Sequence, residues 1–134
     1  MARLARPGGR SSIALPLALA WLVAVAGCVP SVSLPETCNQ PTVSFTATLG
    51  DSRLEPSTFE VCRGQQVILT MTLEQDGIVH LHGYDDLLGA KEVRVGQTLE
   101  LAFEAAHVGQ YPIALHTLDG APELTVGTLV VHDA

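Results

Sequence analysis

Two histidines two residues apart, His80 and His82, lie in the run Ile78-Val79-His80-Leu81-His82-Gly83-Tyr84-Asp85. In a β-strand, residues two apart share a face, so both imidazoles project one way while Val79 and Leu81 project the other. Their backbone positions are then roughly 6–7 Å apart, within reach of one ion. Neutral imidazole suits Cu(II) and Zn(II). Two such ligands hold a metal weakly, so a third must come from elsewhere in the fold. His116, at the end of a later apolar segment, is the candidate. Asp85 and Asp86 follow the pair closely; either supplies a carboxylate ligand, orients an imidazole from behind, or simply caps a turn. His107 in a loop and His132 near the last residue are expected to be exposed. The competing reading of His80 and His82 is structural, with one ring half-buried and hydrogen-bonded and the other in solvent.

The elements that must position these residues are strands. Short segments rich in Val, Thr, Ile and Leu occupy residues 43–49, 58–62, 66–73, 78–83, 91–95, 98–103, 109–116 and 125–132. Gly, Pro and Asp-Gly turn signals divide them. Arg63-Gly64-Gln65 and Val95-Gly96-Gln97 read as tight turns in which glycine supplies a positive φ. No helix of ordinary length is signalled, although Pro56 and residues 84–90 have room for a turn or two. Seven to eight such strands without a repeat period predict an all-β, antiparallel Greek-key sandwich over residues 42–134.

The N-terminal residues have a different character. Arg3, Arg6 and Arg10 precede an almost wholly apolar stretch (IALPLALAWLVAV), and the small Ala26 and Gly27 lead into Cys28. A positive start, a short apolar run and a small-residue exit mark residues 1–27 as a secretory signal peptide. The apolar run is shorter than the roughly 20 residues of a membrane-spanning helix, and Pro16 interrupts it. Val25-Ala26-Gly27-Cys28 resembles the lipobox of bacterial lipoproteins. That resemblance implies cleavage before Cys28, lipidation of its thiol with diacylglycerol, and often a third acyl chain such as palmitate on the new amine. Multiple chains make a durable anchor where one holds only reversibly. The expected location is therefore outside the cytoplasm, on the inner or outer membrane of a bacterial envelope; the alternative is a plain secreted protein. Residues 28–41, rich in Pro, Ser and Thr, read as a lipidated tether.

Removing residues 1–27 leaves 107 residues with four basic and fourteen acidic side chains, a formal net charge of −10. That charge argues against nucleic acid and anionic headgroups as electrostatic partners, and leaves cations, a basic envelope protein, or solubility alone as its use. One small domain of this size gains from a covalent staple. With Cys28 assigned to the lipid, Cys38 and Cys62 are an even pair in an oxidising compartment, and a disulfide is expected. Closing that loop stabilises by about 3 kcal/mol on the chain-entropy argument. A thiolate metal site is disfavoured because the two form no C-x-x-C motif and neither adjoins a histidine. There is no Ser or Cys nucleophile in a recognisable setting and no Gly-rich phosphate loop, which points away from an enzyme.

A family resemblance spans nearly the whole expected domain. Phe59-Glu60-Val61, Arg63-Gly64-Gln65-Gln66-Val67, Asp76-Gly77-Ile78-Val79-His80, Val95-Gly96-Gln97-Thr98, Phe103, Gly109-Gln110-Tyr111 and Gly127-Thr128-Leu129-Val130-Val131 follow one another as in cupredoxins. The resemblance implies a cupredoxin-like fold with His80 at the first copper-ligand position and His82 as an extra histidine. It also brings a departure. Leu115 stands where a blue-copper protein carries its ligand cysteine, no Cys follows Cys62, and no Met follows Met71. A type-1 centre needs that thiolate, so a blue electron-transfer site is not expected. Tyr111, Ile113 and Leu115 are expected to face the core, which turns His116 away from the position of the missing cysteine; it joins a site only through a twist or a bulge. The expectation is a tethered, non-enzymatic cupredoxin-like lipoprotein binding copper or another divalent metal through His80, His82 and His116, for metal handling or support of a membrane redox or transport complex. The alternative is a metal-free β-sandwich that serves as an interaction module of the cell envelope.

Overall fold

Along residues 66–73, Val67, Leu69, Met71 and Leu73 are buried while the residues between them are not, so the alternation legible in the sequence becomes one wall of a core. The computed structural model describes Gly8, Gly9 and residues 33–134. Cys28 and, but for the two glycines, the expected signal peptide lie outside the described residues. The chain forms two units, Met1–Ser31 and Val32–Ala134, and the strands belong to the second. Among the described residues, no helix is long and apolar enough to cross a membrane.

Nine strands are present among the described residues: β1 (Thr42–Leu49), β2 (Leu54–Glu55), β3 (Thr58–Cys62), β4 (Gln66–Leu73), β5 (Gly77–Leu81), β6 (Lys91–Val93), β7 (Thr98–Glu104), β8 (Gly109–His116) and β9 (Leu124–His132). A single helical turn, α1 (Asp85–Leu88), follows β5. One sheet has the order β2-β1-β4-β7 and the other β3-β9-β8-β5-β6. This is the expected all-β sandwich with one difference. The pairing is mixed, because β1 runs parallel to β4 and β3 parallel to β9. Alternation fixes the face a residue takes but not the direction of the neighbouring strand.

Side chains from both sheets make one core, in which Phe59, Leu69, Met71, Leu81, Ile113 and Leu115 are essentially inaccessible. Each such burial is worth roughly 1.5–3 kcal/mol. The two expected turns form, with Gly64 at φ +88° and Gly96 at φ +78°.

Residues 36–41, expected to end the tether, are fastened to this core. A 3₁₀ turn, Glu36–Asn39, carries Cys38, and the Cys38–Cys62 disulfide forms with a Cα–Cα distance of 5.2 Å. Beside it the buried Gln65 accepts from the Cys62 N–H (2.7 Å) and donates to the Thr37 carbonyl (2.6 Å) and the Gln40 carbonyl. Both ends of its amide are thus satisfied, as a buried polar group requires.

Candidate metal centre

Val79 and Leu81 are buried in the core, which turns His80 to the outer face of the β3-β9-β8-β5-β6 sheet. In the β5–β8 ladder His80 lies opposite Ala114 and Ile78 opposite His116. Residues 78, 80, 114 and 116 therefore share that outer face. His116 reaches the pair through this register, without the twist or bulge expected from the sequence. His82, just past β5, keeps the ladder going by donating its N–H to the Pro112 carbonyl (3.0 Å), and so falls on the same face. The small Ala114 opposite His80 leaves room for the rings, and His80 and His116 stack with centroids 5.0 Å apart at 18°.

A bulge does occur, and it serves another residue. Between Ile113 and Ala114 the β8–β9 register slips: Ile113 faces Gly127, whereas Ala114 faces Thr125 and Leu115 faces Leu124. Val126 is the extra residue. Unbroken alternation from the core-facing Leu129 and Gly127 would put Glu123 on the core side, but one inserted residue reverses the parity. Glu123 thereby falls beside His116. The loop before it is braced by Asp119, which accepts from the Thr117 hydroxyl and from the Ala121 N–H (3.1 Å).

Four ligand-type side chains now converge. Glu123 Oε1 accepts from His82 Nε2 (2.8 Å), and Glu123 Oε2 lies 2.7 Å from His116 Nε2 and 3.0 Å from His80 Nε2. His80 Nε2 and His116 Nε2 are 3.0 Å apart. Ligand atoms of His80, His82 and Glu123 all lie within 4.8 Å of one another; His116 joins through His80 and Glu123. Asp85 stands behind: its Oδ1 accepts from His80 Nδ1 (2.8 Å) and its Oδ2 from the Gly83 N–H (3.2 Å). Gly83 makes that bend with φ +85°, and a Cβ there would lie 2.6 Å from the Tyr111 ring, so glycine alone fits.

The hydrogen bond to Asp85 fixes the His80 tautomer, leaving the Nε2 lone pair turned inward. That lone pair faces a carboxylate oxygen at 3.0 Å, two acceptors that a proton or a metal ion between them would reconcile. Burial alone would push the His80 pKa down, but the hydrogen bonds and charges of Asp85 and Glu123 outweigh it and hold it above the ordinary value. The His80 hydrogen bond holds the Asp85 carboxyl below its usual range, and the His82 hydrogen bond, joined by His80, does the same for Glu123. With a metal, three imidazole nitrogens and one carboxylate oxygen are a complete donor set. Tetrahedral ligands on bonds of about 2.0–2.1 Å lie roughly 3.3 Å apart; His80 Nε2, His116 Nε2 and Glu123 Oε2 stand within tenths of an ångström of that spacing, whereas His82, held on the other carboxylate oxygen, must swing inward to join them. The residues fit a divalent ion.

The site lies at the surface. The His80 side chain is 13% exposed, against 39% for His82, 42% for His116 and 35% for Glu123. Two surface clefts, one around Arg53 and Thr125 and one around Tyr84, Asp86 and Leu87, do not include the cluster. Asp86 thus lines a cleft apart from the cluster, while Asp85 stands behind His80. His107 is exposed as expected. His132 is not: it is half-buried opposite Cys62, with its Nε2 3.8 Å from a Glu60 carboxylate oxygen. Pairing with β3 leaves it only partly open to solvent.

Solved structures with similar backbones include a blue copper oxidase from Nitrosomonas europaea (TM-score 0.56, 14% identity) and a copper nitrite reductase from the same organism (TM-score 0.55, 13% identity). The alignments cover 69% of this chain and 39% and 42% of those chains. A multicopper oxidase from Pseudomonas thermotolerans aligns over 69% of this chain and 30% of its own, with a TM-score of 0.52 and 14% identity. The fold is cupredoxin-like. The chain spans about two fifths or less of the length of these proteins. No family model and no curated protein matches the sequence.

Proposed function

We propose that this cupredoxin-like domain binds one copper or other divalent metal ion on its outer sheet face, through His80, His82, His116 and Glu123, and that it does so outside the cytoplasm as a lipoprotein anchored at Cys28. The convergence of three Nε2 atoms on one carboxylate, with Asp85 fixing the central ring, carries this reading. The copper content of the structural neighbours agrees with it. The role is one of holding and delivering a metal to an envelope redox or transport complex rather than of catalysis. No type-1 blue centre is involved: Leu115, in the family's cysteine position, is buried apolar core, and Cys38 and Cys62 are bonded to each other. The lipid anchor rests on the lipobox-like Val25-Ala26-Gly27-Cys28 alone.

The test is a titration of the purified chain with Cu(II), followed by metal analysis and electron paramagnetic resonance. One ion per chain with a nitrogen-rich, non-blue spectrum is expected. Retention unchanged by His80→Ala plus His82→Ala would sink the proposal. Mass spectrometry of the membrane fraction tests the anchor; a chain beginning elsewhere than at a diacylated Cys28 would refute it.

A further inference from the structure

The donor set also bears on oxidation state. We propose that the site takes copper in the divalent state and releases it on reduction to the monovalent state, so that the cargo is Cu(II). This deepens the metal-binding reading above and rests on it.

Three observations lead there. The first is chemical type. The cluster offers borderline imidazole nitrogens and a hard carboxylate oxygen, whereas monovalent copper prefers thiolate and thioether sulfur. Among the described residues no sulfur ligand is at hand: Met71 is buried in β4, and Cys38 and Cys62 are consumed by their disulfide. The second is charge. Glu123 stands among the ligands and Asp85 directly behind His80, so two carboxylates face the ion. A divalent cation neutralises both, and a monovalent one leaves a net negative site. Coulomb attraction at these separations therefore favours the higher charge, the more so on the partly covered face beside His80. The third is position. His82, His116 and Glu123 open to solvent, so a released ion has an exit and an incoming ligand has access.

The redox step balances simply. An ene-diol reductant such as ascorbate gives one electron to Cu(II) and loses a proton to solvent. The metal–ligand bonds to His80, His82, His116 and Glu123 break, and their hydrogen bonds re-form.

Competition under nitrogen decides the matter, with one chelator selective for each oxidation state and the full chain in detergent. Cu(II) is expected to bind about a hundredfold or more tightly than Cu(I), and more tightly than Zn(II), as the divalent series runs. Adding ascorbate to the Cu(II)-loaded chain should transfer the metal to the Cu(I) chelator and erase the paramagnetic signal. Cu(I) held as tightly as Cu(II), or Zn(II) held more tightly, would overturn the inference while leaving the metal site standing. Failure to bind Cu(II) at all would remove the metal site itself. Glu123→Gln takes away the charge and Glu123→Met adds a thioether; each should narrow the Cu(II)/Cu(I) preference, by about tenfold or more for Met. An unchanged ratio in both, with folding verified by circular dichroism, would also overturn it.

Discussion

The molecule gathers distant residues twice, and the two gatherings are finished to different degrees. At the disulfide, residues 37–40 meet Cys62 and Gln65; a covalent bond closes the junction, and both ends of the Gln65 amide find partners. On the histidine face, His80, His116 and Glu123 crowd ligand atoms within 2.7–3.0 Å of one another at the surface, with no covalent bond to close the junction. Both cross long stretches of sequence. The first junction is closed by its own groups; the second is the one that the proposed metal would complete.

That contrast can be broken from either side. The largest effect is expected from His80→Ala plus His82→Ala, which should abolish metal retention yet leave the thermal transition of the metal-free chain close to wild type, because both rings lie outside the core. Next, Cys38→Ser plus Cys62→Ser should lower stability by about 3 kcal/mol in urea unfolding through the freed 24-residue loop while leaving metal stoichiometry unchanged. Equal loss of metal and stability in either variant would erase the distinction. Asp85→Asn, which keeps the shape but weakens the hold on His80 Nδ1, should cost about 10–100-fold in metal affinity, read by chelator competition.

The smallest effect concerns protons. In the metal-free chain, the folded-state pKa of His80 lies above its ordinary value. Its contribution is therefore complete below about pH 6.5 and is lost as pH rises through the folded value. Asp85 and Glu123 lie below theirs, so their contribution is present above about pH 4.5 and is lost as pH falls through the folded values. With chelator present, the melting temperature should peak at about pH 4.5–6.5 and decline towards pH 8, and His80→Ala should flatten that decline. No decline in the wild type would contradict the raised His80 pKa.

Much of the frame was legible because alternation and turn signals bound each strand. Segments 58–62, 66–73 and 109–116 coincide with β3, β4 and β8. The two-residue β2 is too short to show a period. The parallel β1–β4 and β3–β9 pairs were hidden because pleat patterns carry no direction. The site was half legible. His80 and His82 declare themselves by spacing, whereas His116 is misjudged when it is set against the missing cysteine rather than against His80. Leu115 and Leu81 both face the core, so their neighbours His116 and His80 or His82 share the other face, and that comparison needs only the register. Glu123 was out of reach, since parity counted along residues 123–131 assigns it to the core side. Only the slip at Val126 moves it, and the one local hint of a bulge is the adjacent Gly127, a glycine inside a strand pattern.

The alternation in β5 and β8 has a last consequence. Even-numbered residues 80, 82, 114 and 116 form the face of the proposed metal site, while 79, 81, 113 and 115 build the core. Fold and candidate site are thus written on interleaved positions that scarcely constrain each other. Over evolutionary time the outer set can drift, change its preferred ion or fall silent while the sandwich beneath persists. A chain of this kind can exchange one occupation for another without ever passing through an unfolded ancestor.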